Sequence, residues 1–186
     1  GAFSTMAALY GVVLPEHEVR EIVKAWRAAH KKVTKLWYDC EDAAIKAVQT
    51  PAETHKVGKL SFVMDPTTSY LRMILPSGRS LCYPNPEVDD NNRLTYEGTN
   101  QYTRKWERLE TYGGKLVENA TQAASRDILA HGLRAAEAAG YEVVLHVHDE
   151  LICETPDTEE YSVDKLAQMM SSGPLWALGL PLAAAG

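Results

Sequence analysis

Two adjacent carboxylates, Asp149 and Glu150, lie between two β-prone apolar runs at residues 143–147 and 151–153. Apolar runs that follow each other without a spacer predict a tight hairpin or a strand–bend–strand. A two-residue hairpin turn usually contains glycine, because its central residues take positive φ. His148 and the two carboxylates supply no glycine, so we expect a functional reason for this departure from the local rule.

The chemistry that two neighbouring carboxylates predict is binding of a hard cation. Asp149 and Glu150 repel each other unless a cation neutralises them, and Mg2+ prefers one or two carboxylates together with water and a substrate phosphate. A surface hairpin with a charged tip, without any metal, is the alternative at this point.

A second polar pattern lies on an alanine-rich helix predicted over residues 116–139, which Gly140 ends. The residues predicted to face the core share one side of this helix: Val117, Ala120, Ala124, Ile128 and Ala135. The opposite side combines amides with cations: Lys115, Asn119, Gln122 and Arg126. Such side chains suit contacts to base edges and phosphates, and an ordinary exposed face is the alternative.

The elements that must position these groups fall into three predicted segments. Residues 1–50 are predicted to be helical, with a first helix ended by Gly11 and a new start at Pro15. Residues 51–100 predict short strands near 60–64, 70–75 and 80–83, a turn at Gly78 and a polar connecting loop. Residues 101–186 contain the alanine-rich helix, the hairpin and a further helix predicted over 157–170. The fold class expected from this mixture is α+β.

Two stretches carry clustered basic residues. In the first segment they are Lys24, Arg27, Lys31, Lys32 and Lys35, for which a solvated helix face is the ordinary interpretation and contact with phosphate the less common one. Residues 101–115 interleave aromatic and basic side chains, which by itself is a weak indication of nucleic-acid binding.

Composition limits the function classes. The chain has 186 residues and a net charge of −6, which argues against binding nucleic acid through a bulk positive field. No apolar run is long enough to cross a bilayer. Three distant cysteines and no secretory signal favour a reducing compartment, so we expect a cytoplasmic location. Both ends look like cuts within apolar segments, and we expect a piece of a longer chain.

The hairpin sequence from Val147 to Leu151 resembles motif C of the family A DNA polymerases. Residues 111–123 resemble the helix that precedes motif C in phage-encoded members, and the two occur in the family's order. Residues 2–15 resemble the end of the fingers, and the turn at Gly78 with Tyr83 after it is similar to another family segment. The resemblance covers nearly the whole chain.

The resemblance implies template-directed DNA synthesis, with the hairpin in a partial palm and the long helices from fingers and palm. It implies that Asp149 is a metal ligand in a two-Mg2+ site, that Glu150 is an auxiliary carboxylate and that His148 lies near the primer terminus. Gln122 would reach the minor-groove side of the nascent pair. The remaining DNA-binding residues expected are Asn119, Lys115 and Arg126. The partners would be primer–template DNA, deoxynucleoside triphosphates and the missing N-terminal part of the polymerase, with no membrane.

The sequence also departs from the family pattern. Bacterial members have asparagine four residues before the glutamine, where this chain has Glu118, and Asn119 lies three before it. The motif A aspartate and the nucleotide-binding helix would lie before Gly1, so we expect half an active site that is inactive alone. Two alternatives stay open: a non-catalytic DNA-binding or assembly module that needs a partner chain, and an unrelated metal hydrolase. The hydrolase would use His146, His148 and Asp149, with His131 as a loose further ligand.

Overall fold

The structure is a computed structural model that describes residues 2–186. Three helices come first: α1 (Ala2–Leu9), α2 (Glu16–Ala29) and α3 (Lys31–Gln49). Seven strands follow: β1 (Thr54–Val57), β2 (Leu60–Asp65), β3 (Tyr70–Ile74), β4 (Ser80–Pro84), β5 (Glu87–Val88), β6 (Leu94–Thr99) and β7 (Trp106–Thr111). The chain continues with α4 (Gly113–Ala138), β8 (Glu142–Val147), β9 (Glu150–Glu154), α5 (Val163–Ser171) and a 3-10 turn (Leu175–Ala177). The α+β class is confirmed.

The main core lies between α3 and a four-stranded antiparallel meander, in the order β1-β2-β3-β4. The helix contributes small side chains at helical spacing, including Cys40, Ala44 and Ala47, so the sheet approaches it closely. The sheet contributes the larger side chains Phe62 and Met73, which are fully buried. The small face of the helix and the large face of the sheet thus complement each other in volume.

A second antiparallel sheet, β5-β6-β7, continues this core and leads into α4. The first residue of α4, Gly113, lies directly against the backbone of Trp37 in α3. A Cβ at Gly113 would be 1.9 Å from the Trp37 carbonyl oxygen. The Gly113 amide also donates to the Glu41 carboxylate at 3.1 Å. The entry of α4 is therefore fixed against α3.

Helix α4 buries different faces in its two halves. Gly113, Leu116 and Ala120 face the main core, whereas Leu129 and Gly132 face α5 and the hairpin. By helical geometry the two buried faces are about 160° apart. The predicted core stripe is therefore only part of the buried surface of α4: of its five residues Ala120 is fully buried and the other four are partly buried.

Three further expectations needed correction. The helical pattern that continues from Pro15 to Val48 is two helices, because the chain breaks at His30 between α2 and α3. The sequence analysis missed four strands that pair in antiparallel register: β1, β5, β6 and β7. Helix α5 begins at Val163 and not at residue 157, because the Ser162 side chain caps its N-terminus by accepting from the Lys165 amide.

Among residues 2–186, no helix is both long and apolar enough to span a bilayer.

Candidate active site

The predicted hairpin is confirmed as a tight turn that presents Asp149 to solvent. Strands β8 and β9 pair antiparallel with Val147 opposite Glu150, so that only His148 and Asp149 form the turn. His148 has φ +52°, whereas the φ of Asp149 is not positive. Positive φ at the first central residue alone is the pattern of a type II′ turn, where glycine is the usual residue. A histidine in this position stores backbone strain, and such strain clusters at functional sites.

Both carboxylates of the hairpin are exposed, and so is one of its apolar faces. Residues directly opposite in an antiparallel pair share a face, which groups Val147 with Glu150 and Leu145 with Ile152. The three apolar side chains of this face keep between 40% and 52% of their surface exposed. No residue from Glu142 to Glu154 is fully buried. The hairpin therefore combines an acidic tip with an uncovered apolar surface.

The predicted polar stripe of α4 lies on the surface, but two of its residues, Lys115 and Gln122, are hydrogen-bonded to Glu118. Lys115 donates to one Glu118 oxygen at 3.0 Å and Gln122 donates to the other at 3.3 Å. The hydrogen bond to Glu118 is the main reason that the pKa of Lys115 is raised, and the negative charge of Glu118 raises it further. A ligand that takes both Lys115 and Gln122 must therefore displace the Glu118 carboxylate.

Asn119, Gln122 and Arg126 line a groove between α4 and strands β4 and β6. Asn119 donates to the Tyr83 hydroxyl at 3.1 Å, and Tyr83 stacks edge-on against Tyr96 with ring centroids 5.1 Å apart. Burial raises the pKa of Tyr83 to about 12, so this hydroxyl is neutral at physiological pH. The groove is thus lined by amide, phenol and guanidinium groups.

The rim of this groove is fixed by Asp127. Its carboxylate accepts from the Arg79 guanidinium at 2.7 Å and from the Ser77 hydroxyl at 2.5 Å. Arg79 also donates to the Ala123 carbonyl oxygen. These bonds hold the β3–β4 turn, with Gly78 at φ +85°, against α4. The turn was predicted from sequence, whereas its attachment to α4 was not.

Asp149 and the polar stripe line different cavities. Asp149 and Glu150 lie at a cavity between the C-terminal half of α4 and α5, which Ser125 and Leu129 also line. No described residue lines both this cavity and the groove at Gln122. We expected Lys115, Asn119, Gln122 and Arg126 to share one concave surface with His148 and Asp149. Three of these residues, Asn119, Gln122 and Arg126, line a groove that does not include Asp149, and Lys115 and His148 line neither cavity.

The metal-binding capacity of the hairpin is partial. Among residues 2–186, no three or more histidine, cysteine, aspartate or glutamate side chains are grouped so that they could hold a metal ion. His146, His148 and Asp149, which the hydrolase alternative would bring around one metal, do not form such a group. Two exposed neighbouring carboxylates match Mg2+, which takes hard oxygen ligands and uses few protein groups when substrate phosphates complete its shell.

Three contributors to these surfaces were missed from the sequence: the acceptor role of Glu118, the hydroxyl of Tyr83 and the carboxylate of Asp127. Glu118 lies three residues after Lys115 and four before Gln122, and this helical spacing was a usable signal. Tyr83 and Asp127 meet their partners only through the tertiary fold, so no local pattern predicts them.

Comparison with known proteins finds that the chain is similar to a phage DNA polymerase. It is 45% identical, over its whole length, to the DNA polymerase of Bacillus phage SP02. The chain spans 29% of the length of that relative, so it is homologous to a segment of a phage DNA polymerase. The expected resemblance to a phage polymerase is confirmed. No protein-family model matches the chain, and no solved structure matches it.

Proposed function

We propose that this chain forms the motif C half of the active site of a family A DNA polymerase, which carries out template-directed DNA synthesis. The observation that carries the proposal is the position of Asp149 in a two-residue turn at the tip of an exposed hairpin. The homology to a phage DNA polymerase over the whole chain supports it. In this proposal residues 1–50 belong to the fingers, residues 101–186 contain part of the palm, and the enzyme acts in the infected cell.

Within this site we assign separate roles to the three residues of the hairpin tip. Asp149 is the metal-ligand carboxylate and Glu150 is an auxiliary carboxylate beside it. His148 lies near the primer terminus. The strained φ of His148 supports the assignment, because a residue held in a sparsely populated conformation at an exposed tip has no evident structural benefit.

The amide and basic residues of α4 would contact the DNA. Gln122 and Asn119 face the groove at Tyr83 and supply hydrogen bonds that are suited to the minor-groove edge of base pairs. Arg126 and Lys115 supply positive charge for phosphates. Because Glu118 accepts from both Lys115 and Gln122, DNA that engages this face would compete with an internal hydrogen-bonded pair.

Two Mg2+ ions would complete the site, held by Asp149, with Glu150 beside it, and by residues outside this chain. When bound, such ions help to ionise the attacking 3′-hydroxyl and neutralise charge on the phosphates of the incoming deoxynucleoside triphosphate. The chain's own part is to hold the carboxylate of Asp149 at the tip of a short turn, where it is accessible to the primer–template and the nucleotide.

The chain alone would neither extend a primer nor bind Mg2+ tightly. A single exposed carboxylate–cation contact in water is worth only about 1 kcal/mol. The exposed apolar face of Leu145, Val147 and Ile152 supports the need for a further part of the polymerase, which would cover this face and supply the missing carboxylate.

The test is primer extension with three samples: this chain alone, the chain mixed with the N-terminal part of the polymerase, and the same mixture carrying Asp149→Ala. We expect extension only in the second sample, with a loss of at least about a hundredfold on removal of Asp149, which is the upper end of the loss for residues that merely support metal ligands.

Asp157→Ala is the matched control, because Asp157 is also exposed and follows the same hairpin. Its activity in the mixture should equal that of the wild-type chain. Undiminished activity of Asp149→Ala would refute the motif C assignment, and extension by the chain alone would refute the half-site.

A further inference from the structure

The junction of α2 and α3 carries an excess of positive charge in a chain of net charge −6. Between Arg20 and Lys35 there are six basic residues and one acidic residue, Glu21. Arg20 and Lys35 form ion pairs within their own helices, with Glu16 and Asp39. The remaining four residues are exposed and have no ion pair within residues 2–186; we call them the basic corner: Lys24, Arg27, Lys31 and Lys32.

Hydrogen bonds and ring stacking join α2 to α3 beneath the basic corner. His30 is the only residue between the two helices, and the buried Thr34 hydroxyl donates to carbonyl oxygens of the bend, at 3.0 Å to His30 and 3.2 Å to Lys31. The ring of Trp26 stacks on His30 at 4.3 Å and on Trp37 at 5.5 Å between centroids. These contacts hold the backbones that carry the four cations next to each other.

Stability of the isolated chain does not account for this arrangement. Lys31 and Lys32 lie in the first turn of α3, which has no acidic residue, and the helix macrodipole disfavours cations there. By contrast, the first turn of α2 contains Glu16 and Glu18. The four like charges also repel one another. An external anion would remove both unfavourable terms.

We propose that the basic corner binds the phosphodiester backbone of nucleic acid, a contact separate from the hairpin and from the groove at Gln122. Lys24 and Arg27 are three apart, so they are neighbours on one face of α2, and Lys31 and Lys32 follow directly beyond the bend. At about 1.5 Å of rise per residue Lys24 and Arg27 are about 4.5 Å apart along the axis of α2, which is close to the spacing of about 3.4 Å between successive phosphates of one strand along a duplex. The inference rests on the proposed function in taking DNA as the polyanion.

The experiment measures binding of the 186-residue chain to a labelled DNA duplex and to one of its single strands, by fluorescence anisotropy over a range of salt concentration. The test variant is Arg27→Gln/Lys31→Gln. The control is Lys56→Gln/Arg72→Gln, which removes one lysine and one arginine, both exposed, from the four-stranded sheet. Both variants therefore change the net charge equally.

We expect the test variant to reduce the slope of log affinity against log salt by about 1.8 on a duplex, or about 1.4 on a single strand, since each lost phosphate contact contributes about 0.9 or 0.7. The probe for which the slope falls, duplex or single strand, identifies the form of DNA whose phosphates the basic corner contacts. The control variant should keep the wild-type slope, and thermal unfolding should show both variants folded.

Equal slopes for the two variants, or no binding of either probe by the wild-type chain at low salt, would overturn the proposal. Competition by polyglutamate as effective as that by unlabelled DNA would also overturn it, since the corner would then select any polyanion. The anisotropy measurement requires no catalysis at the hairpin. Failure of the primer-extension test with retained salt dependence would thus refute the hairpin assignment alone.

Discussion

The main core and the carboxylate-bearing hairpin are built in opposite ways. Between α3 and the four-stranded sheet, Phe62, Leu71 and Met73 are completely buried. In the hairpin no residue is fully buried, and Leu145 and Ile152 remain about half exposed. The most tightly packed part of the chain therefore contains no candidate catalytic residue. The part with Asp149 is held through α4 and α5, and its stability depends on few contacts.

Truncation of a large side chain in each region should give the largest difference. Phe62→Ala is expected to lower the free energy of unfolding by about 3–5 kcal/mol, because it leaves a cavity in a packed core. Ile152→Ala should cost about 1 kcal/mol or less, because its side chain is 45% exposed. Urea unfolding followed by circular dichroism measures both, and equal losses would show that the hairpin is as tightly integrated as the core.

The two halves of α4 allow a sharper comparison with one substitution type. Gly113→Ala should destabilise the chain by about 1–3 kcal/mol, because its Cβ would collide with the Trp37 carbonyl. Gly132→Ala should be neutral or stabilise by up to about 1 kcal/mol, because its Cβ would lie 3.5 Å from Met170 and alanine favours helix. Thermal unfolding of both variants tests this. A larger loss of stability for Gly132→Ala would show that α4 packs more tightly at Gly132 than at Gly113.

The smallest expected effect concerns strain at the hairpin tip. His148→Gly should stabilise the hairpin by up to about 1 kcal/mol, since glycine takes positive φ without the cost of about 1–2 kcal/mol that other residues bear. His146→Gly, in the neighbouring strand, should instead destabilise by about 0.5–1 kcal/mol. Hydrogen exchange of the hairpin amides shows whether each substitution stabilises or destabilises the hairpin. Loss of protection in His148→Gly would mean that the histidine side chain stabilises the turn.

The sequence predicted those features whose signal is local. The hairpin, the turn at Gly78 and the long α4 follow from adjacent apolar runs, from a glycine in a turn and from alanine-rich helical spacing. The break at His30 was hidden because the apolar spacing of α2 continues in phase into α3. Strand β7 was obscured because its basic and aromatic side chains alternate with acidic ones on an exposed edge.

The candidate site was predictable in composition and not in arrangement. Asp149 and Glu150 were identified from two adjacent residues, and the polar stripe from one helix. Asn119, Gln122 and Arg126 line a groove with β4 and β6, whereas Asp149 and Glu150 line a cavity beside α5, and both depend on tertiary contacts between distant parts of the chain. Helical periodicity assumes one partner for the whole helix, so it gave one core stripe where the fold has two.

Helix α4 buries one face against the main core and another against α5. The number of residues between these two faces is therefore fixed by helical geometry. One residue inserted between Ala120 and Leu129 would turn the second half by about 100° and advance it by about 1.5 Å. Gly132 and Leu129 would then point away from α5, and no loop within this 26-residue helix is available to absorb the change. In the evolution of this protein, length variation should therefore accumulate in the turns between strands, while the middle of α4 tolerates substitution and excludes insertion and deletion.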